Sequence, residues 1–503
     1  MILTLFLTAT GLLICAALVK LGLMYLKSYC ILLQSKCFQG PKALPLIGSA
    51  HLFIGSTVED IFETIQDLLN NNQSPIRIWI GPRLFFAVSE PEHVKLVLNN
   101  SNALGKDAIY DMLAPLTGNG ILTSAVPKWK IHRKSIQPLF NRNVLQSYVQ
   151  SFMMKALNVG EKIRMDEEGK EFDIYYYMAR YNFDNICETS LGITISQIDG
   201  TYSDFFDVVE SALEILIVRL VSPWLYPDLI FKHTSMGQKF QKSIDYLRDF
   251  LNDILNNFRQ DLQKGIEDQT KQSLLGLLLT SKEHKYTDEE IRDEITTIIG
   301  GGFETSATVM SMILFALAKH PDIQEKVYEE VRGIYDECNS KGLEITMQDF
   351  NRMEYLDRVI KEILRFVPVA PTILRHLEEE INIGEYTLPA DCSVAINIPT
   401  IHRNEKYWPE PLQFNPDRFL PMHPLGPRHP CAYLPFSLGP RNCIGAKYAM
   451  IISKVLTATL ISKYIIKTSM LEDVKDIKMK MRVFLKMKDP IMLSFERRIP
   501  ETR

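Results

Sequence analysis

The chain has 503 residues, 46% hydrophobic and 23% charged, with 56 Lys and Arg against 60 Asp and Glu, a net charge of −4. That balance argues against nucleic acid as a partner, which calls for a basic excess, and the apolar content excludes a disordered chain. Ordinary usage of Gly (25) and Pro (26) excludes collagen-like and low-complexity classes, while length alone sets a prior of roughly three domains.

Residues 1–19 carry no charge. The run Ile2 to Leu26, interrupted only by Lys20, would extend about 37 Å as a helix, enough to span a bilayer. No basic residue precedes it, whereas Lys20, Lys27, Lys36 and Lys42 interrupt or follow it, so the bulk of the chain is expected in the cytosol. Residues 1–33 are expected to form one uncleaved transmembrane signal anchor. Residues 34–50, with Gly40-Pro41, Pro45 and Gly48, read as a stiff, basic, proline-rich hinge. Residues 51–503 contain no repeat and no Pro/Gly/Ser-rich linker, which overrides the length prior in favour of one large, mainly helical domain with a small β region.

Two short strands, 77–80 and 84–88, are expected to pair across Gly81-Pro82, and 483–485 with 492–495 across Asp489-Pro490. The segment 287–319 reads as one helix of about 50 Å. Thr287-Asp288-Glu289-Glu290 is a capping box and Pro321 follows the helix end. Its middle, Gly300-Gly301-Gly302-Phe303-Glu304-Thr305, costs helix stability of roughly 3 kcal/mol relative to alanine, which points to a compensating purpose. An acid beside a hydroxyl, Glu304 and Thr305, can relay protons.

Eight cysteines are scattered with no C-x-x-C pair, so neither a disulfide framework nor a zinc set is indicated. Cys443 stands apart. It lies in Phe436-Ser437-Leu438-Gly439-Pro440-Arg441-Asn442-Cys443-Ile444-Gly445, just before a helical run from Ala446. Gly439 and Gly445 are expected to let backbone approach a flat ligand. A thiol at a helix N-terminus favours its thiolate, and haem iron is the case in which one cysteine ligand suffices. No nucleotide-binding loop and no G-x-S-x-G is present.

The F-x-x-G-x-R-x-C-x-G pattern resembles the haem loop of the cytochrome P-450 family, the haem-thiolate monooxygenases. Four further segments match that family in order: Trp129 to Arg133 (W-x-x-x-R), the helix Thr287 to Lys319 with its middle Gly300 to Ser306, Glu362 to Arg365 (E-x-x-R) with Phe414 to Phe419, and Pro371 to Arg375. The resemblance implies a mainly α fold with small β-sheets behind the anchor. It implies haem b, held without covalent attachment apart from the axial Cys443–iron bond, with Phe436 beside it and Trp129, Arg133, Arg375 and Arg441 on its propionates. Glu304 and Thr305 would be catalytic, with dioxygen as co-substrate. Glu362, Arg365 and Arg418 would be structural, Arg418 adding a bidentate donor to Glu362. Asp417 replaces the Glu usual in the family.

Within the family the chain looks most like the animal clan that includes the fatty-acid ω-hydroxylases, in insect style. Much of that clan has a Glu where this chain has Gly301, so an ester to haem is not expected. The resemblance further implies a lipophilic substrate (fatty acid, hormone or xenobiotic), a separate NADPH-dependent flavoprotein reductase with cytochrome b5 as a further partner, and the endoplasmic reticulum membrane. Lys130, Lys134, Arg428 and Lys447 are candidates for a reductase-docking face. Pocket walls are expected from 102–126, 203–245, 298–305 and 369–374, with Phe303 over the haem. The alternatives are a haem-thiolate isomerase or dehydratase, and a haem-bearing binding or sensing protein without turnover.

Overall fold

The computed structural model describes residues 38–499 except 45–46, 82, 168, 194–201, 264–272 and 422–426, together with seven separate positions between Gly11 and Leu26; for 202–204 and 261–263 it describes the backbone alone. The anchor expected over 1–33 otherwise lies outside the described residues. Among these, one helix is long and apolar enough to cross a membrane, and it is a buried core helix.

Among the described residues, ten longer helices frame the domain, besides shorter ones: α1 (Val58–Asn70), α2 (Val126–Ile136), α3 (Arg142–Asp166), α4 (Ile174–Asn185), α5 (Tyr202–Val221), α6 (Ser235–Gln263), α7 (Asp288–Lys319), α8 (Pro321–Ser340), α9 (Glu354–Phe366) and α10 (Ala446–Lys463). Helix α7 is the axis of the core and packs against α4, α9, α10 and α8. Its start is the expected capping box: Thr287 Oγ1 accepts from the Glu290 N–H at 3.2 Å, and Glu290 accepts from the Thr287 N–H at 3.0 Å. Pro321, which cannot continue α7, opens α8 instead. Apolar positions 356, 359, 360, 363 and 364 of α9 recur at helical spacing and turn one face inward, and Glu362 and Arg365 go inward with them.

The strands are β1 (Ile76–Ile80), β2 (Arg83–Val88), β3 (Phe172–Asp173), β4 (Thr372–His376), β5 (Ile381–Ile383), β6 (Tyr386–Leu388), β7 (Ser393–Asn397), β8 (Tyr464–Lys467), β9 (Met479–Met481), β10 (Leu485–Met487) and β11 (Met492–Arg497). The main sheet runs β1-β2-β7-β4. The expected β1–β2 hairpin is present, with Ile76 opposite Ala87, while β2 and β7 are parallel.

The second expected hairpin is corrected. Strand β10 turns back on β9 through Arg482, Val483 and Phe484, and β11 pairs instead with β8 and β3. Asp489-Pro490 is thus a connection between two sheets rather than a hairpin turn. The residues read as a hinge do not stand off the domain: Gln39 accepts from the Arg77 N–H at 2.8 Å, and Gly48 bridges to Ile80 of β1. Cys187, Cys338, Cys392 and Cys431 are buried free thiols.

Candidate functional site

The cysteine loop closes on itself where the Cys443 N–H donates to the Phe436 carbonyl at 2.9 Å, and it leads directly into α10. Gly439 holds φ +76°, and a Cβ there would lie 2.4 Å from the Leu98 carbonyl oxygen. Its freedom therefore seats the loop against the main chain at Leu98, not against a ligand as the sequence implied. Gly445 differs: a Cβ would fall 3.9 Å from Cys443 Sγ, in ordinary contact on the sulfur's side. Gly439→Ala combines a left-handed backbone penalty of about 1–2 kcal/mol with the Leu98 clash. It should lower the urea midpoint for loss of the haem absorption band, with Gly445→Ala much milder.

Cys443 has accessible surface, but that surface is the wall of a cavity with about 1830 Å³ of empty space, open mouths included. Burial raises the Cys443 thiol pKa, opposed by the Gly445 N–H and the Arg133 charge. The helix end that was expected to favour the thiolate is present but is outweighed by desolvation. Metal coordination would supply the missing stabilisation, since a coordinating thiol is deprotonated outright.

Four cations line the same cavity, and no Asp or Glu is among its described lining residues. Arg133 donates to the Asn442 carbonyl (2.8 Å) and side-chain oxygen (2.9 Å), clamping the cysteine loop. Arg441 donates to the carbonyls of Leu104, Ile121 and Ser124 and lies 4.2 Å over the Trp129 ring. Arg375, 2% exposed, donates to its neighbour's carbonyl at Leu374 (3.0 Å). Lys106, absent from the sequence expectations, lies 4.4 Å over the Tyr110 ring. Burial, then Arg375 and Arg441, hold its pKa well below the usual lysine range. Buried positive charge without acidic partners is costly, so the cavity is built for an anionic ligand. A soft sulfur donor, an apolar wall and converging cations fit haem with its two propionates.

From α7, Ile298, Gly301, Gly302, Thr305 and Val309 face the cavity. A Cβ on Gly301 would meet nothing within 4 Å, so this is where the chain leaves open space. Thr305 Oγ1 donates back to the Gly301 carbonyl at 2.7 Å. Glu304, about 100° around the helix from Thr305, is off the cavity wall and accepts from Arg482 Nη1 at 2.8 Å. Its other oxygen is buried without a partner. Burial pushes the Glu304 carboxyl up to about 7. Lys486 and then Lys480 pull the other way and Glu214 adds to the rise, while Arg482 is shared among Glu304, Glu210 and Glu214. The raised direction therefore stands. Arg482, in the β9–β10 turn, had no motif to announce it.

Phe303 is corrected: it is 3% exposed and packs among Phe183, Phe205 and Phe206, away from the cavity. Of the expected walls, 102–126, 298–305 and 369–374 contribute, joined by Val483, Phe484 and Ile186. The 203–245 segment instead lines, through Leu216, Ile217, Leu220 and Val221, an apolar second cavity of about 1160 Å³ that shares Tyr110, Thr372 and Val483 with the first.

Beneath the cysteine loop, Glu362 and Arg365 are fully buried and paired through two contacts of 2.8 Å each. Arg418 is not the bidentate donor expected. It reaches Glu362 only through Nε at 3.3 Å, a loose contact, and its terminal nitrogens donate to the carbonyls of Pro409, Glu410 and Gln413. Asp417 pairs with Arg358. Of the proposed docking cations, Lys130 and Lys447 are exposed and Lys134 pairs with exposed Glu283. Arg428 is committed elsewhere: it stacks on Trp408 and donates to the Tyr407 and Arg418 carbonyls.

The comparisons agree with this geometry. The family model described as Cytochrome P450 matches residues 38–495. The chain is 34% identical to Cytochrome P450 4c21 of Blattella germanica, over 91% of this chain and 93% of that protein. It is 32% identical to Cytochrome P450 4c3 of Drosophila melanogaster (84% and 83%) and 30% identical to Cytochrome P450 4V2 of Mus musculus (85% and 84%). With a cavity-facing cysteine loop, a cationic wall that has no acid among its described residues, and this match across the chain, the protein belongs to the cytochrome P450 family and is a haem-dependent monooxygenase.

Proposed function

We propose that this is a membrane-anchored monooxygenase that inserts one atom of dioxygen into a long lipophilic substrate, with electrons from a separate NADPH-dependent flavoprotein reductase and cytochrome b5 as a further donor. The observation that carries the substrate class is the apolar second cavity, which shares Tyr110, Thr372 and Val483 with the cavity that holds Cys443 and so adjoins it. Such an apolar space suits a hydrocarbon chain, as in fatty acids, better than a compact polar ligand. Haem b would be held by Cys443, with Arg375, Arg441, Arg133, Lys106 and Trp129 around its propionates and Phe436 beside the sulfur. When bound it supplies the oxygen-activating redox chemistry.

The chain's own residues position and protonate. Gly301 leaves room above the cysteine, and no carboxylate at 301 is available for an ester. Thr305 presents a hydroxyl to the cavity. Glu304, released from Arg482 on protonation and with its second oxygen buried without a partner, would supply the proton that the Thr305 hydroxyl hands to the cavity. The anchor at 1–33 would place the domain on the cytosolic face of the endoplasmic reticulum, with Lys130 and Lys447 available to an acidic reductase.

The test is a titration of the haem-loaded protein with fatty acids of increasing chain length, read as a spectral shift and as product formed with reductase and NADPH. Affinity and product should rise with chain length. Equal response to short and long chains would overturn the substrate reading.

The relay makes a separate prediction. With a pKa of about 7, Glu304 is protonated below that pH and about nine-tenths ionised one unit above it. Coupled product formation should therefore fall as pH rises from 6 to 8. Glu304→Gln should remove that limb and cut coupled turnover by about 10²–10⁴, with peroxide release replacing product. A pH profile unchanged by the substitution would remove Glu304 from proton transfer.

A further inference from the structure

Away from the cysteine cavity, two imidazoles and two carboxylates converge where α2 crosses the first turns of α7. His132 is 1% exposed, and its Nδ1 lies 2.6 Å from Glu294 Oε1. A carboxylate accepts, so Nδ1 carries the hydrogen. Glu294 is itself fully buried and is fixed by the Ile121 N–H on its other oxygen at 3.2 Å. The ring is thereby set with Nε2 aimed at Glu290, 3.5 Å from Oε1. His284 Nε2 lies 3.7 Å from the other Glu290 oxygen. Both Nε2 atoms are buried without a hydrogen-bond partner.

These separations are too long for hydrogen bonds but suit ligands sharing one ion. Zinc–ligand bonds of about 2.0–2.1 Å in a tetrahedron place neighbouring ligand atoms about 3.4 Å apart. The three groups offer ligand atoms that all lie within 4.8 Å of one another.

We propose that His132 Nε2, His284 Nε2 and the Glu290 carboxylate form a site for one divalent transition-metal ion of the zinc type, independent of Cys443. Three further features support it. The His132–Glu294 contact supplies the outer carboxylate that metal-ligating histidines characteristically use, fixing the tautomer and raising ligand basicity. The Thr287 N–H donates to Glu290 at 3.0 Å and so holds that carboxylate in place. The local charge is acidic: Glu294 is taken up by His132, and Glu290 and Asp293 share Lys128, which lies 3.9 Å from Glu290 and 3.8 Å from Asp293 and can keep the latter partner. His284 is partly exposed, which leaves a solvent side for a water as fourth ligand. The ion would staple α2, the helix that carries Trp129 and Arg133, to the start of α7.

The test uses the full-length, haem-loaded protein, so that Cys443 is not a competing ligand. After chelator treatment and desalting it is titrated with Zn²⁺ alone by calorimetry, and retained zinc is measured by elemental analysis. One zinc per chain is expected. His284→Ala and Glu290→Gln should each weaken binding at least tenfold and abolish the rise in unfolding temperature that Zn²⁺ gives the parent. Glutamine preserves the capping box, so loss in that variant reports the ligand and not the helix. His233→Ala, at an exposed histidine, should change nothing. Absence of stoichiometric zinc in the parent, or equal binding in the parent and both ligand variants, would overturn the site.

Discussion

Cys443→Ser should fold and should give no red-shifted Soret band when reduced under carbon monoxide, whereas the parent gives a strong one. Coupled turnover should fall by at least about three decades, which corresponds to about 4 kcal/mol of barrier. Cys443 is the only thiol among the cavity wall's described residues, Met450 being an uncharged thioether, and hydroxyl oxygen does not supply a thiolate's electron donation to the iron. The loop itself is held by contacts the substitution leaves intact: the Cys443 N–H to Phe436, the Arg133 clamp on Asn442, and Arg441 on three carbonyls. A red-shifted band in the serine variant would mean that a different residue ligates the iron. A parent that shows no haem absorbance when folded and supplied with haem would overturn the site as described.

Arg365→Ala should be the most destabilising single change outside the loop. Both partners of the Glu362–Arg365 pair are fully buried, and removing one member of such a pair costs about 3–5 kcal/mol because the other charge is stranded. Here the stranded Glu362 would keep only the Asn415 N–H at 3.0 Å and the loose Arg418 contact. Arg365 also donates to the His402 carbonyl at 3.0 Å and lies 5.4 Å over the Trp408 ring, so packing is lost as well. The urea midpoint for loss of the Soret band should drop steeply, and haem incorporation on expression should fall with it. Arg365→Lys should recover little, since an ammonium cannot make the two-pronged contact. The double variant Glu362→Ala, Arg365→Ala should be less destabilised than the sum of the singles. Strict additivity would show that the two residues act independently.

Much of this protein was legible in order along the chain. The cysteine loop, the W-x-x-x-R helix, the capped helix with its central glycines and the E-x-x-R pair are local patterns, and local patterns survive in a linear reading because they depend on spacing of three to ten residues. The capping box at Thr287 and the β1–β2 hairpin followed from short-range chemistry and stand as expected. What failed were statements about facing and partnership. Phe303 is next to Glu304 in sequence, yet it belongs to an aromatic cluster fed by α4 and α5. The partner of Glu304 went unforeseen, since Arg482 lies 178 positions later and no spacing announces it. Arg428 looked like a surface cation and is held by Trp408 and two carbonyls.

Lys106 shows the same limit from the other side. No spacing marks it, and its significance comes only from meeting Arg375 and Arg441 on one wall, from segments far apart in the chain. The sequence by itself determined the family, the helical class and the identity of the buried ion pair, and it singled out Cys443 as the proposed iron ligand, because each rests on residue type at short spacing. Tertiary structure alone decided which side of each helix meets the cavity, which carboxylates share Arg482, and that His132, His284 and Glu290 converge. Those outcomes depend on packing between distant segments, where burial and the pairing of charge leave few arrangements that satisfy every polar group.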